Sequence, residues 1–211
     1  MSDLIVSPNL IVFDLDYTIW PFDCGKDVVR PFSRDLDGNI TDFYGRNANP
    51  YPDVSNILGA IVDANINIAF ASRNSDQKSI ESLLRLIPIN CYKKPYKTLW
   101  DALIIPSIYL HAYSNRNYGG ARGIGKDKHF TTIHKYTLID YKRMIFFDDL
   151  IENIIDAREK GITSMLVGKE GLTAHNFIDA INEWKNRDIP AITIDDIATA
   201  SLSMSYIPVK K

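Results

Sequence analysis

The sequence predicts an α/β fold, a three-layer arrangement built on a parallel sheet. Three observations carry that prediction. Short apolar runs rich in β-branched and aromatic residues recur, as in "LIVFDL", "INIAFAS" and "RMIFFDD". Segments with apolar residues at helical spacing alternate with them. No internal repeat occurs at the periods of solenoid folds.

The first run, Leu10–Leu15, is nearly continuous in apolar residues, which fits a strand buried on both faces. From Pro21 to Pro50 the pattern dissolves. Asp37–Gly38–Asn39 reads as a turn between Val28–Val29 and Ile40–Thr41, a hairpin thrown out after strand one. Pro52–Asp53 opens a helix whose stripe is Val54, Ile57, Leu58 and Ile61. Ile66–Ser72 is the second strand. Ser75 or Asp76 caps the next helix, with Ile80, Leu83, Leu84 and Ile87 on its inner face, and Ile89–Tyr92 reads as a third strand. The region 106–125 has no clean period and is glycine-rich at its end; it reads as an insert or loop with a short strand at Ser107–Leu110. Lys126–Tyr136 reads as a helix. The strand Arg143–Asp149 follows, then a helix begun by Ile151, Ile154 and Ile155, the strand "SMLVG", and a last helix marked by Phe177, Ile181 and Trp184. Residues 1–189 read as one domain with the 22–50 hairpin as a flap, and 190–211 as a C-terminal tail.

Composition narrows the function classes. With 211 residues, 45% hydrophobic and 24% charged, the chain can bury a sizeable core. A formal net charge of −2 argues against broad nucleic-acid binding, and the basic stretch Lys93–Lys97 reads as a solvated loop. No apolar run is long enough to span a bilayer, and the first residues lack the pattern of a secretory signal. Two distant cysteines make no disulfide framework. The expectation is a cytoplasmic protein with no nucleic-acid or membrane partner, monomeric by default.

Chemistry concentrates at strand ends. In a parallel sheet, ligands bind beyond the carboxyl ends of the strands. Here those ends carry Asp14 and Asp16, then Ser72–Arg73, then Asp148 and Asp149. Residues i and i+2 on a strand share a face. At an effective dielectric of about 20, two like charges about 4 Å apart cost about 4 kcal/mol. A hard divalent cation with all-oxygen ligands relieves that repulsion, which selects Mg²⁺ or Ca²⁺; no His/Cys cluster has zinc-ligand spacing. Such a set suits phosphoryl transfer: a carboxylate nucleophile, a second carboxylate as acid and base, a hydroxyl and backbone N–H groups for phosphate, and an ammonium for which Lys126 is the candidate. Trp20 and Phe22 are of a type that more often packs in a core, but they follow the acids directly, which makes them candidates to line the substrate mouth, Trp20 as the substrate-binding residue.

Two other motifs compete. Cys24 to Arg30 has the C-x5-R spacing of cysteine-dependent phosphatases, but its loop holds Asp27, two valines and one glycine, a poor phosphate cradle. Gly120 to Lys126 matches G-x4-G-K, but Asp127 stands where a Walker loop needs Ser or Thr.

The combination "FDLDYTIWPF", "ASRNS", "GKDKHF" and "MIFFDDLIENI" resembles the magnesium-dependent phosphatase family, of acid phosphatase type, in the haloacid dehalogenase superfamily. The resemblance spans roughly Leu10 to Gly171. It implies a Rossmann-like fold with a hairpin flap and no large cap domain. It implies Asp14 as the phosphorylated nucleophile and Asp16 as general acid/base, with its backbone carbonyl toward Mg²⁺. Ser72 and the Arg73 backbone would hold phosphate oxygens and Lys126 would balance charge, Lys128 being the alternative lysine. Asp148 and Asp149 would complete the metal site. The substrate would be a phosphoprotein or a phosphorylated small molecule, of phosphotyrosine or sugar phosphate type. The alternatives from other classes are a phosphotransferase and a catalytically idle binding module on the same fold.

Overall fold

The computed structural model describes residues 7–103, 110–112 and 126–187. The glycine-rich stretch at 120–125, most of the 106–125 insert and the tail from 190 lie outside them.

Five parallel strands form the sheet: β1 (Leu10–Phe13), β4 (Asn67–Ser72), β5 (Leu110–Ala112), β6 (Met144–Asp148) and β7 (Thr163–Leu166), in the order β5-β4-β1-β6-β7. β1 lies at the centre, with Phe13 in register with Phe70 on one side and Phe147 on the other. Between β1 and β4 the chain makes an antiparallel pair, β2 (Ser33–Arg34) and β3 (Ile40–Thr41), and the helix α1 (Val54–Asp63). α2 (Gln77–Leu84) follows β4, α3 (Asp127–Thr137) precedes β6, α4 (Ile151–Glu159) joins β6 to β7, and α5 (Ala174–Lys185) follows β7.

The period-2 alternation of strand side chains builds the two cores. Ile11, Phe13, Phe70, Ile145 and Phe147 pack on one face with the apolar stripes of α1, α2 and α5. Leu10, Val12, Ala69, Ala71, Met144 and Phe146 pack on the other with Phe130 and Ile133 of α3 and Ile154 and Ala157 of α4. Both faces of the sheet are covered, which is why its strands read as unbroken apolar runs.

The topology dictates where a site forms. The chain runs from β1 outward to β4 and β5, then crosses back to β6 on the other side of β1. That reversal opens a crevice beyond the carboxyl ends of β1 and β6, the switch point of such sheets.

The structure revises or settles several sequence expectations. Ile89–Tyr92 is not a strand. It is a loop whose amides go elsewhere: Ile89 N to Lys97 O at 3.2 Å, Asn90 N to Ser55 O at 3.0 Å, and Tyr92 N to an Asp63 carboxylate oxygen at 2.7 Å. The sheet position beside β4 belongs to β5, which includes Leu110 of the short strand expected at Ser107–Leu110; residues 107–109 lie outside the described ones. The hairpin partner of Ile40–Thr41 is Ser33–Arg34 rather than Val28–Val29. The turn at Asp35–Asn39 closes it, with Asn39 N donating to Asp35 Oδ1 at 2.8 Å. Asp76, not Ser75, caps α2, accepting from Ser79 N at 3.1 Å and Ser79 Oγ at 2.6 Å.

One carboxylate organises the hairpin segment. Asp42 is 4% exposed. It accepts from the backbone N–H groups of Val29, Tyr44 and Arg46, each at 2.9 Å, and from the Arg46 guanidinium at 2.6 and 2.8 Å. Burial pushes its carboxyl upward, but the Arg46 guanidinium and those N–H groups outweigh it and hold Asp42 below the ordinary carboxylate value.

Two predictions follow from these contacts. A folded-state value below the unfolded one means that Asp42 contributes stability above the ordinary carboxylate range, lost as pH falls through the depressed value. Hydrogen exchange of the Val29, Tyr44 and Arg46 amides, corrected for intrinsic rates, should therefore lose protection as pH drops below about 4; unchanged protection in acid would contradict the role. The second concerns Gly59 in α1. A Cβ there would drive into the backbone carbonyl of Asn90, well inside van der Waals contact. Helix propensity alone would make Gly59→Ala stabilising by about 1 kcal/mol. Overpacking against rigid backbone costs about 1–3 kcal/mol, so urea unfolding should show net destabilisation; a stabilised variant would refute the close approach.

Candidate active site

β1 ends at Phe13, and the chain then turns sharply. Asp14 N still donates to Phe147 O at 2.9 Å, continuing the ladder. Leu15 O then receives the N–H groups of Thr18, Ile19 and Trp20 at 3.1, 2.8 and 3.4 Å. Tyr17 adopts φ +60°, in the left-handed region, to make this turn. The two acids therefore go separate ways instead of sharing a strand face.

Asp14 joins Asp148 and Lys126. All three are buried. The Lys126 ammonium contacts Asp14 Oδ1 and lies 2.6 Å from Asp148 Oδ2, and it sits 5.4 Å from the Phe146 ring centroid. Asp148 is saturated with donors: Oδ1 accepts from Leu150 N and Asn153 Nδ2, both at 2.8 Å, and Oδ2 accepts from Asn153 Nδ2 at 2.9 Å. Asp149, half-buried, faces the cavity. One oxygen from each of Asp14, Asp148 and Asp149 lies within 4.8 Å of the others.

Charge in this group is unbalanced: three carboxylates face one ammonium. Burial raises the Asp14 carboxyl above its ordinary value, with the Asp148 and Asp16 carboxylates pushing the same way and the Lys126 ammonium opposing them. Asp149 is raised by burial and by Asp148. An all-oxygen donor set with a formal excess of two negative charges fits one hard divalent cation such as Mg²⁺.

Asp16 occupies different surroundings. Its Oδ1 accepts from Trp20 Nε1 at 2.8 Å and Cys24 N at 3.0 Å, and its Oδ2 from Asn74 Nδ2 at 2.8 Å. Burial raises its carboxyl, against the pull of these three donors. The Asp16 carboxylate lies outside the cluster of Asp14, Asp148 and Asp149, because the chain turns after the strand.

Ser72, at the end of β4, is buried, and its Oγ accepts from Asn74 N at 3.1 Å. Arg73 follows, half-buried. Both line a cavity of about 590 Å³ with Asp14, Asp16, Asn74 and Asp149. Lys126 is the lysine that reaches the carboxylates; Lys128 is exposed on α3. Trp20 corrects the sequence reading. It is fully buried and stacks on Phe22 with ring centroids 5.7 Å apart, so it supports Asp16 from beneath and does not line the substrate mouth. Cys24 also departs from a nucleophile's profile: burial, then the Asp16, Asp76 and Asp23 carboxylates, push its thiol far above its ordinary value.

Sequence reasoning missed the work of Asn74 and Asn153. Asn74 stands two residues after Ser72, and its side chain ties Asp16 to the β4 loop. Asn153, five residues after Asp148, holds both of that carboxylate's oxygens; the "DDLIEN" spacing was the available signal.

Known proteins are similar to this chain in sequence or fold. A human protein called magnesium-dependent phosphatase 1 is 33% identical over 156 residues, covering 74% of this chain and 76% of its own. A HAD-like hydrolase superfamily protein of Schizosaccharomyces pombe is 32% identical over 148 residues, covering 69% and 78%. Among solved structures, the N-terminal part of a Bacteroides fragilis protein containing a phosphatase domain, complexed with Mg, aligns with a TM-score of 0.52 at 18% identity, over 83% of this chain and 40% of that one. A HAD-superfamily hydrolase from Ehrlichia chaffeensis aligns with a TM-score of 0.51 at 13% identity, over 86% and 98%. These two likenesses speak to the fold, which is that of the haloacid dehalogenases. The acid phosphatase family model matches residues 6–187, and the chain belongs to that family.

Proposed function

We propose that this protein is a Mg²⁺-dependent phosphomonoesterase that works through a phosphorylated Asp14. The observation that carries this reading is the position of the Asp14 carboxylate. It lies in a cavity with Ser72 and Arg73, paired with the Lys126 ammonium and within 4.8 Å of the Asp148 and Asp149 carboxylates. The human relative is called a magnesium-dependent phosphatase and the Bacteroides fragilis phosphatase domain is complexed with Mg, which supports the same metal here.

Asp14, Asp148 and Asp149 would hold the cation. Mg²⁺ bound there supplies Lewis acidity and screens the nucleophile from the phosphate's charge. Ser72 Oγ already accepts from Asn74 N, which leaves its proton for a phosphate oxygen. The Lys126 ammonium orients Asp14 and opposes the upward push that burial gives its carboxyl, and a cation held by the three carboxylates would oppose it further. In the first step an Asp14 oxygen attacks phosphorus and the bond to the leaving oxygen breaks. Asp16, whose carboxyl is raised by burial, gives that oxygen its proton. In the second step the Asp16 carboxylate takes a proton from water, the water oxygen attacks phosphorus, and the Asp14–phosphorus bond breaks to release inorganic phosphate. The two acids take different roles because only Asp14 lies beside the ammonium and the carboxylates that would hold the cation. The cavity volume suits a small phosphomonoester or a phosphorylated side chain, of sugar phosphate or phosphotyrosine type.

Asp14→Asn should lower kcat for p-nitrophenyl phosphate by about a thousandfold or more, with the circular dichroism spectrum retained because Lys126 keeps Asp148 as its partner. EDTA should silence the wild-type enzyme and Mg²⁺ restore it. Substantial turnover by the Asn variant, or by EDTA-treated enzyme, would overturn the assignment.

A further inference from the structure

His129 is buried at 2% exposure on α3, three residues after Lys126. Its Nε2 lies 2.9 Å from the carbonyl oxygen of Ser72. A carbonyl can only accept, so Nε2 carries the proton and donates it. The carbonyl belongs to the Ser72–Arg73 peptide unit, which leaves β4 and enters the cavity wall. A trans peptide is planar, and its C=O and N–H point in opposite directions. Pinning the oxygen to α3 therefore turns the Arg73 N–H away from α3. Ser72 and Arg73 line the cavity, and His129 lies outside its lining.

The same helix thus reaches the site twice. Lys126, the residue just before its first turn, pairs with Asp14 and Asp148, and within that turn His129 takes hold of the strand that carries the phosphate-facing groups. The neighbours of His129 on α3, Phe130 and Ile133, are plain core residues. An apolar side chain could fill such a position; the imidazole instead places a donor on the Ser72 carbonyl.

We propose that His129 is a positioning residue: through the Ser72 carbonyl it fixes the Ser72–Arg73 peptide plane, so that the Arg73 N–H and the Ser72 hydroxyl meet a phosphoryl oxygen. This rests on the reading of the cavity as a phosphoryl-transfer site.

The test uses the full chain with Mg²⁺ and inorganic phosphate as the probe, measured as a competitive inhibitor of p-nitrophenyl phosphate hydrolysis. Gln places its Nε2 near the position of the imidazole Nε2, whereas Asn falls short and Leu has no donor. His129→Asn and His129→Leu should raise the phosphate Ki by about tenfold or more, and His129→Gln should stay within about threefold of wild type. In ¹⁵N spectra the Arg73 amide should shift on phosphate addition in wild type and the Gln variant, and not in the Asn variant. If the Leu variant fails to fold, the contrast between Gln and Asn decides. Wild-type Ki in the Asn variant, or a Gln variant no better than Asn, would overturn the role alone. A wild-type protein that neither hydrolyses phosphomonoesters nor binds phosphate would overturn the reading of the cavity, and the role with it.

Discussion

The site depends on a buried ammonium. Lys126 has no exposed surface, and its charge lies between Asp14 and Asp148 at the floor of the crevice. Desolvating an ion costs several kcal/mol, and removing one partner from a buried pair typically costs about 3–5 kcal/mol. The arrangement persists because every charge in it has company. Asn153 and the Leu150 N–H satisfy the Asp148 carboxylate, and the Phe146 ring lies under the ammonium. Lysine on α3, nucleophile after β1 and acid at the end of β6 are thereby locked into one geometry, which the strand order makes possible.

That geometry sorts four aspartates into two environments. Asp14, Asp148 and Asp149 crowd together, and their mutual repulsion is what a divalent cation would relieve. Asp16 is turned out of the crowd and wrapped by Trp20, Cys24 and Asn74. Burial raises both carboxyls, but Asp14 has an ammonium and the crowded cation-binding carboxylates beside it, whereas Asp16 sits among the neutral donors of Trp20, Cys24 and Asn74, a difference in surroundings that acid-assisted phosphoryl transfer can use. The turn that creates the division runs through Tyr17 in a backbone conformation that side chains disfavour, a cost of order 1 kcal/mol or more that local hydrogen bonds to Leu15 O help to offset.

Much of this was legible in the sequence, because strand ends announce themselves. Unbroken apolar runs stopping at acids located Asp14, Asp148 and Asp149, and the residue after "IAFA" located Ser72. Helical stripes located α1, α2 and α5, although Ile87, read on the inner face of α2, lies beyond its end at Leu84. What was not legible depends on contacts between distant segments. The D-x-D spacing put Asp14 and Asp16 on one face; the turn at Tyr17 separates them, and no periodicity encodes it. Trp20 looked like a mouth residue because it follows the acids, yet the same turn drives it into the core. Ile89–Tyr92 has strand-like composition, but Asp63 and Ser55 take the amides that a ladder would need. His129 gave no signal, since its partner is 57 residues away.

Everything proposed for the chemistry passes through one bond, between Asp14 and phosphorus. The direct measurement is to quench the enzyme in acid during turnover of a phosphomonoester with Mg²⁺, reduce it with borohydride, and sequence its peptides by mass spectrometry. An acyl phosphate on Asp14 would be reduced to homoserine, and the account predicts homoserine at position 14 and at no other aspartate. Phosphate found on Cys24, or turnover with no modified residue at position 14, would contradict it.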